Sequence, residues 1–290
     1  MAITYNNLYL DIRRQLRAAG IAAATLEARE LVCFATGKTR EELARDGGLY
    51  TSQELEREAR RLTARHLAGE PVAYLIGEWE FYGLPLDISP AVLIPRPDTE
   101  VLAEHAIAYL KGLEEEHPWV LDLCAGSGCL GLAAASQVPG CRVVLGEVSE
   151  EALKICRQNI RRCQLTGRVM PVRMDAREKP DRNLGEFHCI MCNPPYIPRG
   201  DWEGLDASVR DYEPRLALDG GEDGLDFYRC IADKWREALR PGGRLYFEVG
   251  IGQADAVLRI MRSQGFGDIQ VEKDLQGIPR VVFGTLLQEL

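Results

Sequence analysis

A doubly wound, mainly parallel α/β sheet preceded by a small helical domain is the fold class that this sequence predicts. Three observations point to it. From residue 120 onward, short apolar runs alternate with segments of helical period, as in repeated β-α-β units. The first of these runs passes into its helix through the glycine turn Asp122-Leu123-Cys124-Ala125-Gly126-Ser127-Gly128, and the next ends on an acid, Glu147. Ahead of them lie apolar positions spaced four apart, the spacing of a helix face. With 290 residues, 46% of them hydrophobic, the chain can bury a sizeable core and fill two domains.

In the N-terminal part, Leu8, Ile12 and Leu16 share a face and Gly20 closes the segment. Leu26, Leu31, Val32 and Ala35 continue on a second helix that stops at Gly37. Thr51-Ser52 opens a third, whose Glu54, Glu56, Arg57, Arg60, Arg61 and Arg65 read as a solvated face. Residues 1–72 are therefore expected to form a helical domain suited to positioning a partner. From Pro71 the texture changes. Residues 72–77 and 78–83 read as strand-like pieces joined by glycines and are followed by 84–88, so 73–94 is expected to be a β-hairpin connector.

The third region, 95–290, opens with a helix that has Asp98 or Thr99 as its N-cap and Val101, Leu102, Ile107 and Leu110 as its stripe. Strands follow at 120–123, 142–147, 169–173 and 187–192, with helices at 129–137 and 150–162. Leu225, Tyr228, Ile231, Trp235 and Leu239 mark another helix face. Pro241-Gly242-Gly243 then turns into a strand at 245–249, and a final helix and two short strands near 269–271 and 281–283 close the chain.

Composition excludes several classes. Lys plus Arg number 35 against 44 Asp plus Glu, and a net charge of −9 argues against a broad nucleic-acid face. The N-terminus lacks a basic start and an apolar core, so no signal peptide is expected. No apolar run reaches the ~18 residues needed to span a membrane, and the expectation is a soluble cytoplasmic protein. Nine cysteines form no paired pattern, and Cys189 and Cys192 lie three apart on a strand, pointing to opposite faces. Neither a metal nor a structural disulfide is expected.

The most informative motif is Asn193-Pro194-Pro195-Tyr196 at the carboxyl end of the strand at 187–192, where open α/β sheets bind ligands. Two prolines stiffen the corner and remove N–H donors, leaving the Asn193 side-chain oxygen and the Pro194 carbonyl as paired acceptors. Such a pair suits a planar –NH2 group, with Tyr196 covering its flat face. A turn with an Asx cap is the plainer reading of the same residues. The upstream glycine turn favours the functional one. Gly126 and Gly128 let backbone approach a ligand, and the helix behind them offers free N–H groups. Glu147 is placed to accept from two ribose hydroxyls, and Asp175 continues the cleft toward an adenine.

Gly126-Ser127-Gly128-Cys129-Leu130-Gly131 also satisfies the dinucleotide fingerprint, with Glu147 at the expected distance. Two features favour S-adenosyl-L-methionine over a dinucleotide. Asp122 would repel a pyrophosphate but could hold a cationic methionine end, directly or through water, and the Asn-Pro-Pro-Tyr motif has no part in hydride transfer. A non-enzymatic cofactor-binding module would lack the Asn193 arrangement.

With these residues assembled, the chain resembles the PrmC/HemK family of protein-glutamine methyltransferases. The resemblance runs through Gly69-Glu70-Pro71-Val72-Ala73-Tyr74-Leu75-Ile76-Gly77, Leu93-Ile94-Pro95-Arg96-Pro97-Asp98-Thr99-Glu100, the glycine turn and Asn193-Pro194-Pro195-Tyr196. It continues through Tyr212-Glu213-Pro214-Arg215-Leu216-Ala217-Leu218 and Gly220-Gly221-Glu222-Asp223-Gly224-Leu225. Asn-Pro-Pro-Tyr alone also occurs in adenine-N6 DNA methyltransferases, but in combination with the Leu-Ile-Pro-Arg segment and the helical module it is specific.

The resemblance implies a Rossmann-like class I S-adenosylmethionine-dependent enzyme that methylates the Gly-Gly-Gln glutamine of class I peptide chain release factors. It implies no direct nucleic-acid partner, and a monomer is expected. It also implies that Cys124, Ala125, Gly126, Ser127, Gly128, Glu147, Asp175, Ala176 and Asn193 contact the cofactor and that residues 193–196 hold the glutamine. A ribosomal-protein glutamine methyltransferase would share this chemistry. Two departures stand out: Cys124 replaces a frequent first glycine, with small size taken as sufficient, and Glu147 replaces a frequent Asp. Arg96, Thr99, Glu100, Glu213 and Arg215 match family segments but carry no expected chemistry beyond a helix cap and surface ion pairs.

Overall fold

The four-residue apolar spacing of the N-terminal stretch becomes helices α1 (Tyr5–Ala18), α2 (Ala24–Thr36), α3 (Arg40–Arg45) and α4 (Gln53–Leu67), then a short helix α5 (Val72–Ile76). Thr4 and Ser52 accept backbone N–H groups at the starts of α1 and α4, and Thr39 with Glu42 makes a capping box for α3. Leu8, Ile12, Leu16, Leu31, Val32 and Leu62 are fully buried and form the core. These helices reach to Gly77 and, with Ala207–Tyr212, constitute one of two units. The computed structural model describes residues 3–287.

Two expectations are corrected here. Leu26 is only half-buried, and Ala24 and Ala28 take the inner face of α2 in its place. Residues 72–77 are not a strand. Pro71 sits at the entrance of α5, where its missing N–H costs nothing, and Gly77 ends the turn in left-handed conformation with φ 73°.

In the second unit, β1 (Glu78–Phe81) and β2 (Leu84–Asp87) pair as an antiparallel hairpin. The helix α6 (Pro97–Lys111) has Arg96 as its N-cap and Pro97 in its first turn, so neither Asp98 nor Thr99 caps it. Thr99 is instead fully buried. Then come β3 (Trp119–Leu123), α7 (Cys129–Gln137), β4 (Arg142–Glu147), α8 (Glu150–Arg162), β5 (Val169–Arg173) and β6 (Phe187–Cys192). After α9 (Ala207–Arg210), which belongs to the first unit, follow α10 (Asp226–Lys234), β7 (Leu239–Glu248), α11 (Ala254–Ser263), β8 (Phe266–Lys273) and β9 (Pro279–Leu286). Leu239 is therefore the first residue of a ten-residue strand rather than part of a helix face, and Pro241-Gly242-Gly243 lies within that strand beside a register shift. The last two strands are eight residues each, longer than expected.

The seven-stranded sheet has the order β5-β4-β3-β6-β7-β9-β8. Its first five strands are mutually parallel, while β9 is antiparallel to both neighbours. Strand order reverses between β3 and β6, which opens a crevice at their carboxyl ends. Register decides what stands there. Leu123 lies opposite Gly146 on one side and Cys192 on the other, and Cys192 lies opposite Phe247. Residues 124, 147, 193 and 248 therefore stand at one level, at the carboxyl ends of their strands. Below them Leu121, Ile190, Leu245, Phe247, Tyr228 and Trp235 pack in the core. Among the described residues no helix is long and apolar enough to cross a membrane.

Helix α7 lies close on the sheet because residue 131 is glycine. A Cβ there would fall 2.8 Å from Val143 Cγ1 and 3.1 Å from Asp122 Cβ. Gly131→Ala is expected to destabilise the protein by ~1–3 kcal/mol in urea denaturation. Gly48→Ala, where a Cβ meets nothing within 4 Å, is expected to change stability by about 0.5 kcal/mol or less.

Candidate active site

The glycine turn leaves β3 through three left-handed residues: Cys124 at φ 62°, Gly126 at 55° and Gly128 at 82°. A side chain in that conformation costs about 1–2 kcal/mol, so at Cys124 the backbone angle, and not size, is what a glycine would ease. Interactions from other elements hold the turn. Ala125 N–H donates to Gly146 O at 3.0 Å, Gly126 N–H to Glu147 Oε2 at 2.9 Å, and Cys156 Sγ–H to Gly126 O at 3.1 Å.

The fully buried Asn159 of α8 donates to Ser127 O at 2.9 Å and to Asp87 O at 3.1 Å, and its Oδ1 accepts the Asp87 N–H. Sequence reasoning missed this residue, because asparagine beside Arg157, Arg161 and Arg162 reads as surface. The available signal was its place on the stripe of Ala152, Leu153, Cys156 and Ile160, a polar side chain where the period demands an apolar one.

Glu147 ends β4 buried, with Oε2 on Gly126 N–H and Oε1 on Ser149 N–H, each at 2.9 Å. Two backbone donors fix the carboxylate and leave each oxygen a second lone pair. Asp122 is buried beneath the turn, and its Oδ2 accepts Gly131 N–H at 2.8 Å. Burial pushes its carboxyl up to about 8; the Gly131 hydrogen bond works against this and the Glu147 charge adds to it.

A cavity of about 470 Å³ opens against these groups. Of the expected cofactor residues, Asp122, Cys124, Ala125, Gly126, Ser127, Glu147, Asp175, Ala176 and Asn193 line it. Gly128 is not in the wall; a Cβ there would press on Leu145 Cδ1 at 2.8 Å, so this glycine serves packing. Asp175 lines the cavity with its carboxylate held by Arg177, through the backbone N–H at 2.9 Å and the guanidinium at 2.8 Å. Val148, Met174 and Phe227 supply apolar wall that the motifs did not reveal.

Asn193 follows β6 into the same wall. Its Nδ2 donates to Thr99 Oγ1 at 3.4 Å, which leaves Oδ1 as the acceptor end. Pro195 lines the cavity, and Pro194 and Tyr196 flank it in the chain without lining it. The Tyr196 hydroxyl donates to Glu248 Oε1 at 3.4 Å, and Gln253 Nε2 donates to Tyr196 O at 2.9 Å. The segment 218–224 cradles the motif. Ile197 N–H donates to Leu218 O and Gly220 N–H to Ile197 O, each at 2.9 Å, and a Cβ on Gly220 would come within 2.7 Å of Tyr196 Cα. Close backbone approach is thus the reason for glycine at 220.

The expectation of a helix cap and surface ion pairs for the neighbouring family segments is corrected. Glu213 is buried, bonded to Arg96 and, at 3.2 Å, to the Ile94 N–H, so it pins two wall segments together. Burial pushes its carboxyl up while Arg96 and Ile94 draw it back. Glu100 accepts the Tyr82 N–H at 2.8 Å. Arg215 does remain exposed, over the Trp202 ring.

Sheet order, glycine turn and a strand-end acid together define a Rossmann-like class I methyltransferase. Residues 7–77 match the model of the PrmC N-terminal domain, and residues 83–207 match the model described as Conserved hypothetical protein 95. A release factor glutamine methyltransferase of Geobacter sulfurreducens is 41% identical over 94% of both chains, and one of Koribacter versatilis is 37% identical over 97% of this chain and 98% of its own. The chain belongs to the release factor glutamine methyltransferases. Among solved structures, a methyltransferase from Pyrococcus furiosus shares the fold with TM-score 0.53 at 17% identity, covering 79% of this chain and 99% of that one.

Asp122 makes stability depend on pH. Its folded carboxyl titrates near 8 and an unfolded Asp near 3.9, so the folded form binds the proton more tightly. That contribution is complete below about pH 4 and is lost as pH rises to about 8. Asp122→Asn keeps an acceptor for Gly131 N–H and removes the ionisation. Its melting temperature relative to wild type is expected to climb between pH 4 and 8 and to level off outside that window, as followed by calorimetry.

Proposed function

We propose that this chain transfers the methyl group of S-adenosylmethionine to the side-chain amide nitrogen of the glutamine in the Gly-Gly-Gln loop of class I peptide chain release factors. The observation that carries this reading is Asn193: it lines the glycine-turn cavity, and its Nδ2 is committed to Thr99, which leaves Oδ1 as the acceptor for a ligand. Family membership supports the same chemistry and substrate.

The cavity residues suit this cofactor. Glu147, oriented by two backbone N–H groups, would hold the ribose hydroxyls. Asp122 would face the cationic methionine end, and Val148, Ala176 and Phe227 would flank the adenine. When bound, the cofactor supplies a methyl group activated by a sulfonium. The chain's own residues then position and polarise. An amide nitrogen is a poor nucleophile because its lone pair is delocalised into the carbonyl. Asn193 Oδ1 and the Pro194 carbonyl, each taking one amide hydrogen, would localise density on nitrogen and stabilise the positive charge that develops there. Tyr196 would cover the amide plane. The protonated product amide is acidic enough to lose its proton to water, so the site needs no strong base.

The helical unit reaching to Gly77 would dock the release factor, whose remote contacts supply binding energy for alignment. A translation factor as substrate places the enzyme's work in the cytoplasm, without direct nucleic-acid contact.

Mass spectrometry of a release factor treated with enzyme and donor is expected to place one methyl group on that glutamine. Asn193→Ala should lower kcat by about 10²–10³-fold and leave cofactor affinity nearly unchanged, since the lost bond strengthens as charge develops. Labelling of DNA or of a ribosomal protein in preference to the factor would overturn the substrate, and near-normal turnover by the variant would overturn the mechanism.

A further inference from the structure

Behind Asn193 and Tyr196 stands a carboxylate that the motif does not announce. Glu248 ends β7, and the register of β6 with β7 sets it beside Asn193. It is 2% exposed, its Oε1 accepts the Tyr196 hydroxyl, and its Oε2 has no hydrogen-bond partner. An unpaired carboxylate oxygen in a protein core is costly unless it has a use. Thr99 accepts the Asn193 Nδ2–H, and its hydroxyl favours the charged form of Glu248.

We propose that Glu248 is a positioning residue for methyl transfer, accepting hydrogen bonds from the Thr99 and Tyr196 hydroxyls on its two oxygens and so fixing both the Asn193 acceptor and the Tyr196 ring toward the substrate amide. This rests on the glutamine-methylation reading above and extends it one layer inward. An ionised carboxylate is acceptor-only and can take both hydroxyls. A protonated one must itself donate, and it competes for the oxygens it should orient. The Asn193–Thr99 and Tyr196–Glu248 links are both long, at 3.4 Å, and tightening them as positive charge grows on nitrogen is a gain reserved for the transition state. A buried anion behind the acceptor favours that charge as well.

Ionisation of Glu248 then sets a pH dependence. Burial pushes its carboxyl up to about 7; Thr99, Arg280 and Tyr196 draw it down and Asp98 of α6 pushes it up. Arg280 of β9 is itself paired with Asp98 at 3.2 Å and with Asp274 at 3.1 Å. Tyr228 of α10 donates to the Glu248 carbonyl, and Cys129 at the start of α7 also feels the carboxylate. Turnover should therefore rise from pH 6 to 8 as the carboxylate forms.

The test begins with wild-type methylation of an intact release factor, and failure at that stage refutes the functional reading alone. Given that activity, Glu248→Gln is expected to lower kcat about 10- to 100-fold, to leave the S-adenosylmethionine Kd within about twofold, and to flatten the rise between pH 6 and 8. A merely structural residue would lower stability without changing the shape of the pH profile. Wild-type kcat and an unchanged profile in Glu248→Gln would overturn the proposal. If that variant shows no melting transition, Thr99→Val serves instead. It should lose the same profile and Thr99→Ser should recover it, whereas an unaltered profile in Thr99→Val would overturn the proposal.

Discussion

Parallel register across β4, β3, β6 and β7 is the constraint on which the site depends. Because Leu123 pairs opposite Gly146 and Cys192, and Cys192 opposite Phe247, the next residue of each strand emerges at a shared edge. Those residues are Cys124, Glu147, Asn193 and Glu248. A slip of one position would reverse the faces of every side chain in a strand covered on both sides, sending Asp122 away from Gly131 and the turn away from its anchors. The apolar packing that makes such a slip prohibitive therefore also assembles the chemistry.

Burying carboxylates at that edge works against stability. Asp122, Glu147 and Glu248 all lie below a tenth exposed, and burial raises the proton affinity of the first and last. Desolvated acids of this kind are tolerated where donors hold them, as Gly126, Ser149 and Gly131 do here. Those that ionise place negative charge in a medium of low dielectric. In the proposed reaction such charge would stabilise the sulfonium-bearing ligand and the nitrogen acquiring positive charge, without reorganisation at the moment of reaction.

Precision at the edge comes from ties between segments far apart in the chain. Asn159 joins the hairpin backbone at Asp87 to the turn at Ser127, and Glu213 joins Ile94 and Arg96. Gln253 holds the Tyr196 carbonyl, and the glycines at 220 and 224 let their loop lie against the motif backbone. Each tie satisfies a polar group that burial would otherwise leave unpaired. The walls are thereby rigid without metal ligands or disulfide bonds among the described residues.

Periodicity and turn chemistry alone determined the alternation of strands and helices, the helical beginning, the glycine turn and the strand-end positions of Glu147 and Asn193. These are local properties, set by side-chain spacing and by the few residues that tolerate a tight turn. Local reading erred where tertiary burial overrode it. A short apolar run at 72–76 folded as a helix, Thr99 became a buried link instead of a cap, and Glu213 became a buried anchor. Asn159 and Glu248 were invisible for a related reason, since a polar letter in a sequence carries no sign of which distant donor will meet it. The sequence by itself decided which elements form and which residues sit at their ends. Only the tertiary structure decided which buried polar groups face one another, because that pairing depends on register and packing between segments up to about 120 residues apart, such as Ile94 and Glu213.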